Sequence, residues 1–210
     1  MNAAVFLDRD GTIVEDVGII REPQQLSFLP GAVEALRFLG RKFRLFIVTN
    51  QAGIAGGVLT HDQLRDVHVR LTADLRRHGV EIERVFYCPH ARTDDCECIK
   101  PKPHFLEVAR RECGIDLAAS WAIGDHPHDV EFAARGGARG VYVLTGHGRK
   151  HLPELAPGNL VATDLRDAAR IILGRVEETR VDIKRSNEPR YGEPPVCPSS
   201  GRREASPRTE

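Results

Sequence analysis

Two carboxylates stand two residues apart in Asp8-Arg9-Asp10-Gly11-Thr12, immediately after the apolar run from Ala3 to Leu7. A carboxylate in that position can attack phosphorus. A second one on the same loop can trade a proton with the leaving oxygen, while a divalent cation screens their mutual repulsion. Gly11 lets the chain turn sharply there. Two acids alone would also suit an ordinary polar turn, so the weight falls on three further segments, each just beyond an apolar run. Thr49-Asn50-Gln51 follows Leu45-Phe46-Ile47-Val48 and leads into Ala52-Gly53-Ile54-Ala55-Gly56-Gly57. It offers a hydroxyl, two amides and flexible backbone to phosphate oxygens. Lys100 precedes Pro101, and its ammonium can hold a phosphoryl group and neutralise an attacking carboxylate as a compact point charge. Gly124-Asp125-His126-Pro127-His128-Asp129 follows Trp121-Ala122-Ile123 and supplies the hard oxygen ligands that Mg²⁺ prefers.

A second constellation is Cys88-Pro89-His90 followed by Cys96-Glu97-Cys98. Three thiolates and an imidazole on one short loop describe a closed, structural Zn²⁺ site; buried free thiols or a redox pair are the competing readings. Five cysteines, an odd number clustered in this way, fit a disulfide framework poorly. Cys113 reads as a core thiol and Cys197 as a tail thiol. His61, His68, His78, His147 and His151 are expected to be solvated on helix faces or loops, and His128 sits in the candidate metal loop.

The elements that must position these groups alternate between apolar runs and helix-period segments, the pattern of βαβ units on a parallel sheet. Strands are predicted at Ala3 to Leu7, Arg44 to Thr49, Arg84 to Cys88, Trp121 to Ile123 and Gly140 to Leu144. Helices are predicted at Gly31 to Arg41, at Pro103 to Cys113, at Pro127 to Arg135 and at Leu165 to Leu173. One more starts at the capping box Thr60–Gln63, with Leu64, Val67, Leu71 and Leu75 as its buried stripe. The fold class is α/β: a Rossmann-like parallel sheet with helices on both faces, a minimal cap and a zinc-binding loop. Every chemical motif then falls at the carboxyl edge of the sheet, where open α/β folds bind ligands. From Lys184 the composition turns to Pro, Ser, Arg and Glu, too polar to offset its ordering entropy. Residues 1–183 are therefore read as the catalytic domain and 184–210 as a disordered tail.

Lys plus Arg (30) cancels Asp plus Glu (30), and no basic stretch alternates with aromatics, which argues against nucleic acid or an anionic membrane as partner. No apolar run approaches the roughly 20 residues of a spanning helix. Charge at Asp8 interrupts the N-terminal run before a secretory segment develops. A cytoplasmic monomer acting on a small phosphorylated substrate is expected.

Taken in order, Asp-x-Asp-Gly-Thr, Thr-Asn-Gln, Lys-Pro and Gly-Asp-x-x-x-Asp resemble the four motifs of the haloacid dehalogenase superfamily of phosphotransferases, across residues 3 to about 145. Phe6–Ile13 together with Thr49–Ile54 is similar to the branch holding heptose bisphosphate and histidinol-phosphate phosphatases. Polynucleotide 3′-phosphatases share those two motifs, but the Cys-x-His…Cys-x-Cys loop before Lys-Pro belongs to the small-molecule branch. The resemblance makes Asp8 the nucleophile that forms an aspartyl-phosphate and Asp10 the acid, later the base. Mg²⁺ would rest on Asp8, Asp125 and the backbone carbonyl of Asp10. Thr49 and Lys100 would grip the phosphoryl group. Arg9, Gly11, Asn50 and Gln51 would join Lys100 in binding substrate, and Asp129 would orient the Asp125 loop. Zn²⁺ would be held by Cys88, His90, Cys96 and Cys98.

The implied activity is Mg²⁺-dependent hydrolysis of a small sugar phosphate, the 7-phosphate of D-glycero-D-manno-heptose 1,7-bisphosphate foremost. Histidinol phosphate or another small monoester comes second. A polynucleotide 3′-phosphatase, or a non-enzymatic zinc module on a retired phosphatase fold, follows behind. The departures from the family's pattern bear on substrate alone. Ile99 stands where members often carry Arg, His126 where heptose enzymes commonly carry Lys, and His104 where Gly is usual. Val17-Gly18-Ile19-Ile20 matches the family's His-Gly-Tyr-Val only in outline. His126 or Lys102 would be the first candidates to replace a lost arginine contact.

Overall fold

A computed structural model describes residues 2–175. Six parallel strands form one sheet in the order β3-β2-β1-β4-β5-β6: β1 Ala4–Leu7, β2 Arg44–Asn50, β3 Arg84–Cys88, β4 Trp121–Gly124, β5 Arg139–Val143 and β6 Leu160–Ala162. The helices are α1 Ala32–Leu39, α2 His61–Arg77, α3 His104–Cys113, α4 Pro127–Arg135, α5 Gly148–His151 and α6 over residues 165–175.

Because successive strand residues point to opposite faces, each central strand feeds two cores. Val5 and Leu7 of β1, Leu45 and Ile47 of β2, and Trp121 and Ile123 of β4 pack with α1, α2 and α6 on one side. Ala4, Phe6, Phe46, Val48 and Ala122 pack with Phe105, Leu106 and Ala109 of α3 and Phe132 and Ala133 of α4 on the other. Stacked rings continue from Phe6 through Phe46 and Phe86 to Phe105. These near-continuous apolar runs are what a strand covered on both faces requires. The expected α/β architecture is thus the one observed, with helices on both faces and, at the ligand edge, connecting segments that include 8–31, 51–60, 89–103 and 144–147.

The Thr60–Gln63 capping box forms, the Thr60 hydroxyl accepting from the Gln63 N–H at 3.1 Å and the Gln63 side chain accepting from the Thr60 N–H at 2.9 Å. Several element ends shift by one residue, and two helix ends shift by more. Helix α1 stops at Leu39, where Gly40 caps it through a bond to Leu36 O. Helix α6 runs through Gly174 to the last described residue, its buried face of Leu165, Ala168, Ala169 and Ile172 outweighing the roughly 1 kcal/mol that glycine costs a helix. Strand β6 and the four-residue α5 were not anticipated, being too short to show a period. The 183/184 boundary, the tail and Cys197 lie outside the described residues. Among the described residues no helix is long and apolar enough to cross a membrane.

Candidate active site

The chain leaves β1 for β2 and β3, then returns to pair β4 against the opposite edge of β1. The crevice at such a reversal is where open α/β sheets bind ligands. Asp8 follows β1, its N–H donating to Ile123 O at 2.9 Å, and Asp125 follows β4. Thr49 lies near the end of β2, and Lys100 sits ahead of α3. Together with Asp10 these side chains line one cavity of about 480 Å³.

Lys100 is at its centre. Its buried Nζ donates to Asp8 Oδ1 at 2.5 Å, Asp129 Oδ1 at 2.6 Å and Val48 O at 2.9 Å. Burial pulls the ammonium down, but Asp129 and Asp8 override it and hold Lys100 above the ordinary lysine range. Asp8 is pushed well above the usual carboxylate range, by burial first and then by Asp129, Asp125 and Asp10 against the pull of Lys100. Burial likewise lifts Asp125 to about 6, although the His147 N–H donates to its Oδ2 at 2.7 Å. Two carboxylates, Asp8 and Asp129, thus hold the ammonium, and Asp125 and Asp10 crowd Asp8. An all-oxygen set with surplus negative charge fits a hard divalent cation. Asp129 also closes the capping box of α4, accepting from the His126 N–H at 3.0 Å, so it fixes the Asp125 loop and Lys100 together.

Of the remaining motif residues Asp10, Asn50 and Gln51 line the cavity, and hydrogen bonds tie them together. Asp10 accepts from Arg9 Nε at 2.9 Å, Arg9 Nη2 at 2.7 Å and Gln51 Nε2 at 3.0 Å, and the same Gln51 amide reaches Thr49 Oγ1 at 2.8 Å. Asn50 Oδ1 accepts from the Lys100 N–H at 3.1 Å. Arg9, expected at the substrate, is fully buried and turned toward Asp10, because its fork matches that carboxylate. Gly11, also expected there, instead permits close approach: its φ is +77°, and a Cβ would stand 2.2 Å from Asp125 Oδ2.

His68, expected in solvent, is buried on α2 with Nε2 3.1 Å from Arg9 Nη1. A guanidinium only donates, so this nitrogen accepts and the ring is neutral. Burial and Arg9 hold His68 down to about 3. His147 and His151 were also expected in solvent, yet His147 lines the cavity and pairs with Asp16 at 2.9 Å, and the His151 side chain is only 20% exposed. The loop carrying His147 was missed. Its Thr145 hydroxyl donates to Gly11 O at 2.6 Å, and a Cβ on Gly146 would lie 2.5 Å from Gly11 Cα. The only sequence signal was the run Gly146-His147-Gly148. His126, His128 and Arg92 complete the cavity wall. Burial with His128 beside it holds His126 down to about 4.

Cys88, His90, Cys96 and Cys98 converge after β3, their ligating atoms all within 4.8 Å of one another. The Cys88–Cys96 sulfur separation is 3.7 Å, close to the edge of about 3.8 Å in a tetrahedron with metal–sulfur bonds of about 2.3 Å. His90 Nδ1 is 3.7 Å from Cys88 Sγ and 3.3 Å from Cys98 Sγ. Burial pushes the Cys88 and Cys98 thiols up, whereas backbone N–H groups of Ile99 and Cys98 hold Cys96 down against burial. Lys102 donates to Cys96 O at 2.6 Å, which commits it to this loop and removes it as a candidate substrate contact.

Residues 97–168 match the HAD-hydrolase-like family model. The chain is 38% identical to the D-glycero-beta-D-manno-heptose-1,7-bisphosphate 7-phosphatase of Photorhabdus laumondii, over 81% of this chain and 95% of that one. The Yersinia pestis enzyme of the same name is 35% identical over 82% of this chain and 96% of its own. The crystal structure of the D,D-heptose 1,7-bisphosphate phosphatase of B. bronchiseptica, complexed with magnesium and phosphate, superposes with a TM-score of 0.77 at 32% identity, covering 82% of this chain and 99% of the other. This chain belongs to the HAD-like hydrolases. Within them it is a phosphatase, acting on phosphate monoesters.

In this HAD-like phosphatase the departures noted in the sequence fall into two groups. Ile99 packs against the α3–α4 core and His104 stacks edge-on to Phe105; neither lines the cavity. Gly18 and Ile19, like His126, do line it.

Proposed function

We propose that this phosphatase removes the 7-phosphate of D-glycero-D-manno-heptose 1,7-bisphosphate through an aspartyl-phosphate on Asp8. The convergence of Asp8, Asp10, Thr49, Lys100 and Asp125 on one cavity carries the reading, and the heptose bisphosphate phosphatases among its relatives supply the substrate class.

Lys100 holds Asp8 Oδ1, leaving the second carboxylate oxygen to attack phosphorus. As the bond between phosphorus and the sugar oxygen breaks, Asp10 gives that oxygen a proton. Asp10 then takes a proton from water, which attacks the aspartyl-phosphate and releases inorganic phosphate and free Asp8. Thr49 and Lys100 bind the transferred phosphoryl oxygens. Gln51 couples Thr49 to Asp10, and Arg9 aims Asp10. Mg²⁺ on Asp8, Asp125 and the Asp10 carbonyl would neutralise charge on the phosphoryl group. Zn²⁺ on the four loop ligands would fix the segment that delivers Lys100 and Arg92. The protein is proposed to act as a cytoplasmic monomer.

Phosphorus and proton NMR of the reaction tests the proposal. Release of one phosphate, leaving a heptose 1-phosphate, is expected. Loss of the 1-phosphate, or turnover of histidinol phosphate alone, would overturn it.

A further inference from the structure

At the edge of the cavity, sharing His126 with its wall, His126, His151 and Glu154 place one ligating atom each within 4.8 Å of the others. We propose that they form a further metal site for Zn²⁺ or a transition ion of similar softness. Two imidazoles and a carboxylate are a donor set for such ions, and three protein ligands leave a fourth position open.

The three ligands are held from different elements. His126 N-caps α4, and its Nδ1 accepts from the His128 N–H at 3.3 Å, which leaves Nε2 as the uncommitted nitrogen. His151 ends α5, which the Tyr142 hydroxyl anchors to β5 by donating to Gly148 O at 2.7 Å. One turn later Glu154 Oε1 lies 2.7 Å from His151 Nδ1. A carboxylate on that nitrogen fixes the ring's orientation, or swings to bind the ion itself; Glu154 is exposed enough for either. The His126 and His151 rings face each other at 4.5 Å between centroids with a 45° tilt. An ion between them would tie the start of α4 to the α5 segment and pin a wall of the cavity, because His126 is part of its lining.

Equilibrium dialysis of the full chain against Zn²⁺, in excess Mg²⁺ to keep the carboxylate site occupied, tests this by comparison with His151→Asn and Glu154→Gln. The native protein should bind one more equivalent of zinc than His151→Asn, and Glu154→Gln should weaken that equivalent on the order of 10-fold or more. Because the readout is a difference, zinc in the cysteine loop cancels. Glu154 is exposed and His151 is half-buried on a short helical segment, and circular dichroism of each variant checks the fold. Equal stoichiometry and affinity in the native protein and His151→Asn would overturn the proposal.

Discussion

Asp10 takes three hydrogen bonds on its carboxylate, and the chain behind them reaches α2: Gln51 from one side, Arg9 from the other, and His68 behind Arg9. None of this was legible in the sequence. Arg9 was expected at the substrate on the strength of the resemblance, and His68 looked like one more polar residue on an amphipathic helix, between the buried Val67 and Leu71. What the pattern lacked was the partner 59 positions away. The pair has a measurable consequence. His68 is held neutral, near 3 rather than 6.5, so stability it permits above pH 6.5 should be lost as pH falls toward 3, at up to about 1.4 kcal/mol per pH unit. Chemical denaturation across that range should show a flatter pH dependence for His68→Gln, which keeps an acceptor for Arg9 without a proton to gain. Identical slopes would mean that other groups set the acid limit. Arg92 belongs to the same scale. If it contacts the remote phosphate in place of the arginine that Ile99 displaces, Arg92→Ala should cost about 1.5 to 3 kcal/mol, or roughly 10- to 150-fold in kcat/KM, for a bisphosphate. A simple aryl phosphate, which has nothing to reach Arg92, should be hydrolysed at the native rate.

Among the elements, strands and long helices were legible because burial on both faces writes long apolar runs and a stripe at Leu64, Val67, Leu71 and Leu75. Short α5 and β6 were not, since β6 is held by backbone pairing with β5 rather than by a distinctive pattern. The close approaches were equally hidden: nothing in the spacing says that a Cβ on Gly124 would stand 2.1 Å from Asp129 Cγ. The cysteine loop was the most readable element, its four candidate metal-binding side chains meeting as their types and spacing imply. A closed site contributes to stability more than to chemistry. Cys96→Ser should therefore lower the melting temperature by several degrees, at about 2 to 4 °C per kcal/mol for a domain of this size. It should also lower kcat by loosening the loop that carries Lys100. A melting curve and metal content both equal to native would remove zinc from the account.

For the whole molecule, the two cores of the sheet close within residues 4–172, and every motif lies inside that span. A chain truncated after residue 183 should keep its native kcat, measured as phosphate release; a large loss would assign the tail a role in catalysis. The central claim is that the carboxyl edge of this sheet is a working phosphatase site centred on Asp8, tuned to a sugar bisphosphate. The most direct measurement is Mg²⁺-dependent kcat/KM on D-glycero-β-D-manno-heptose 1,7-bisphosphate, histidinol phosphate and a 3′-phosphorylated oligonucleotide, for the native protein and Asp8→Asn. The heptose bisphosphate should be the best substrate by about tenfold or more, each decade being worth about 1.4 kcal/mol, and Asp8→Asn should lose turnover on all three. Preference for histidinol phosphate would contradict the substrate assignment, and more than a tenth of native activity in Asp8→Asn would contradict the site itself.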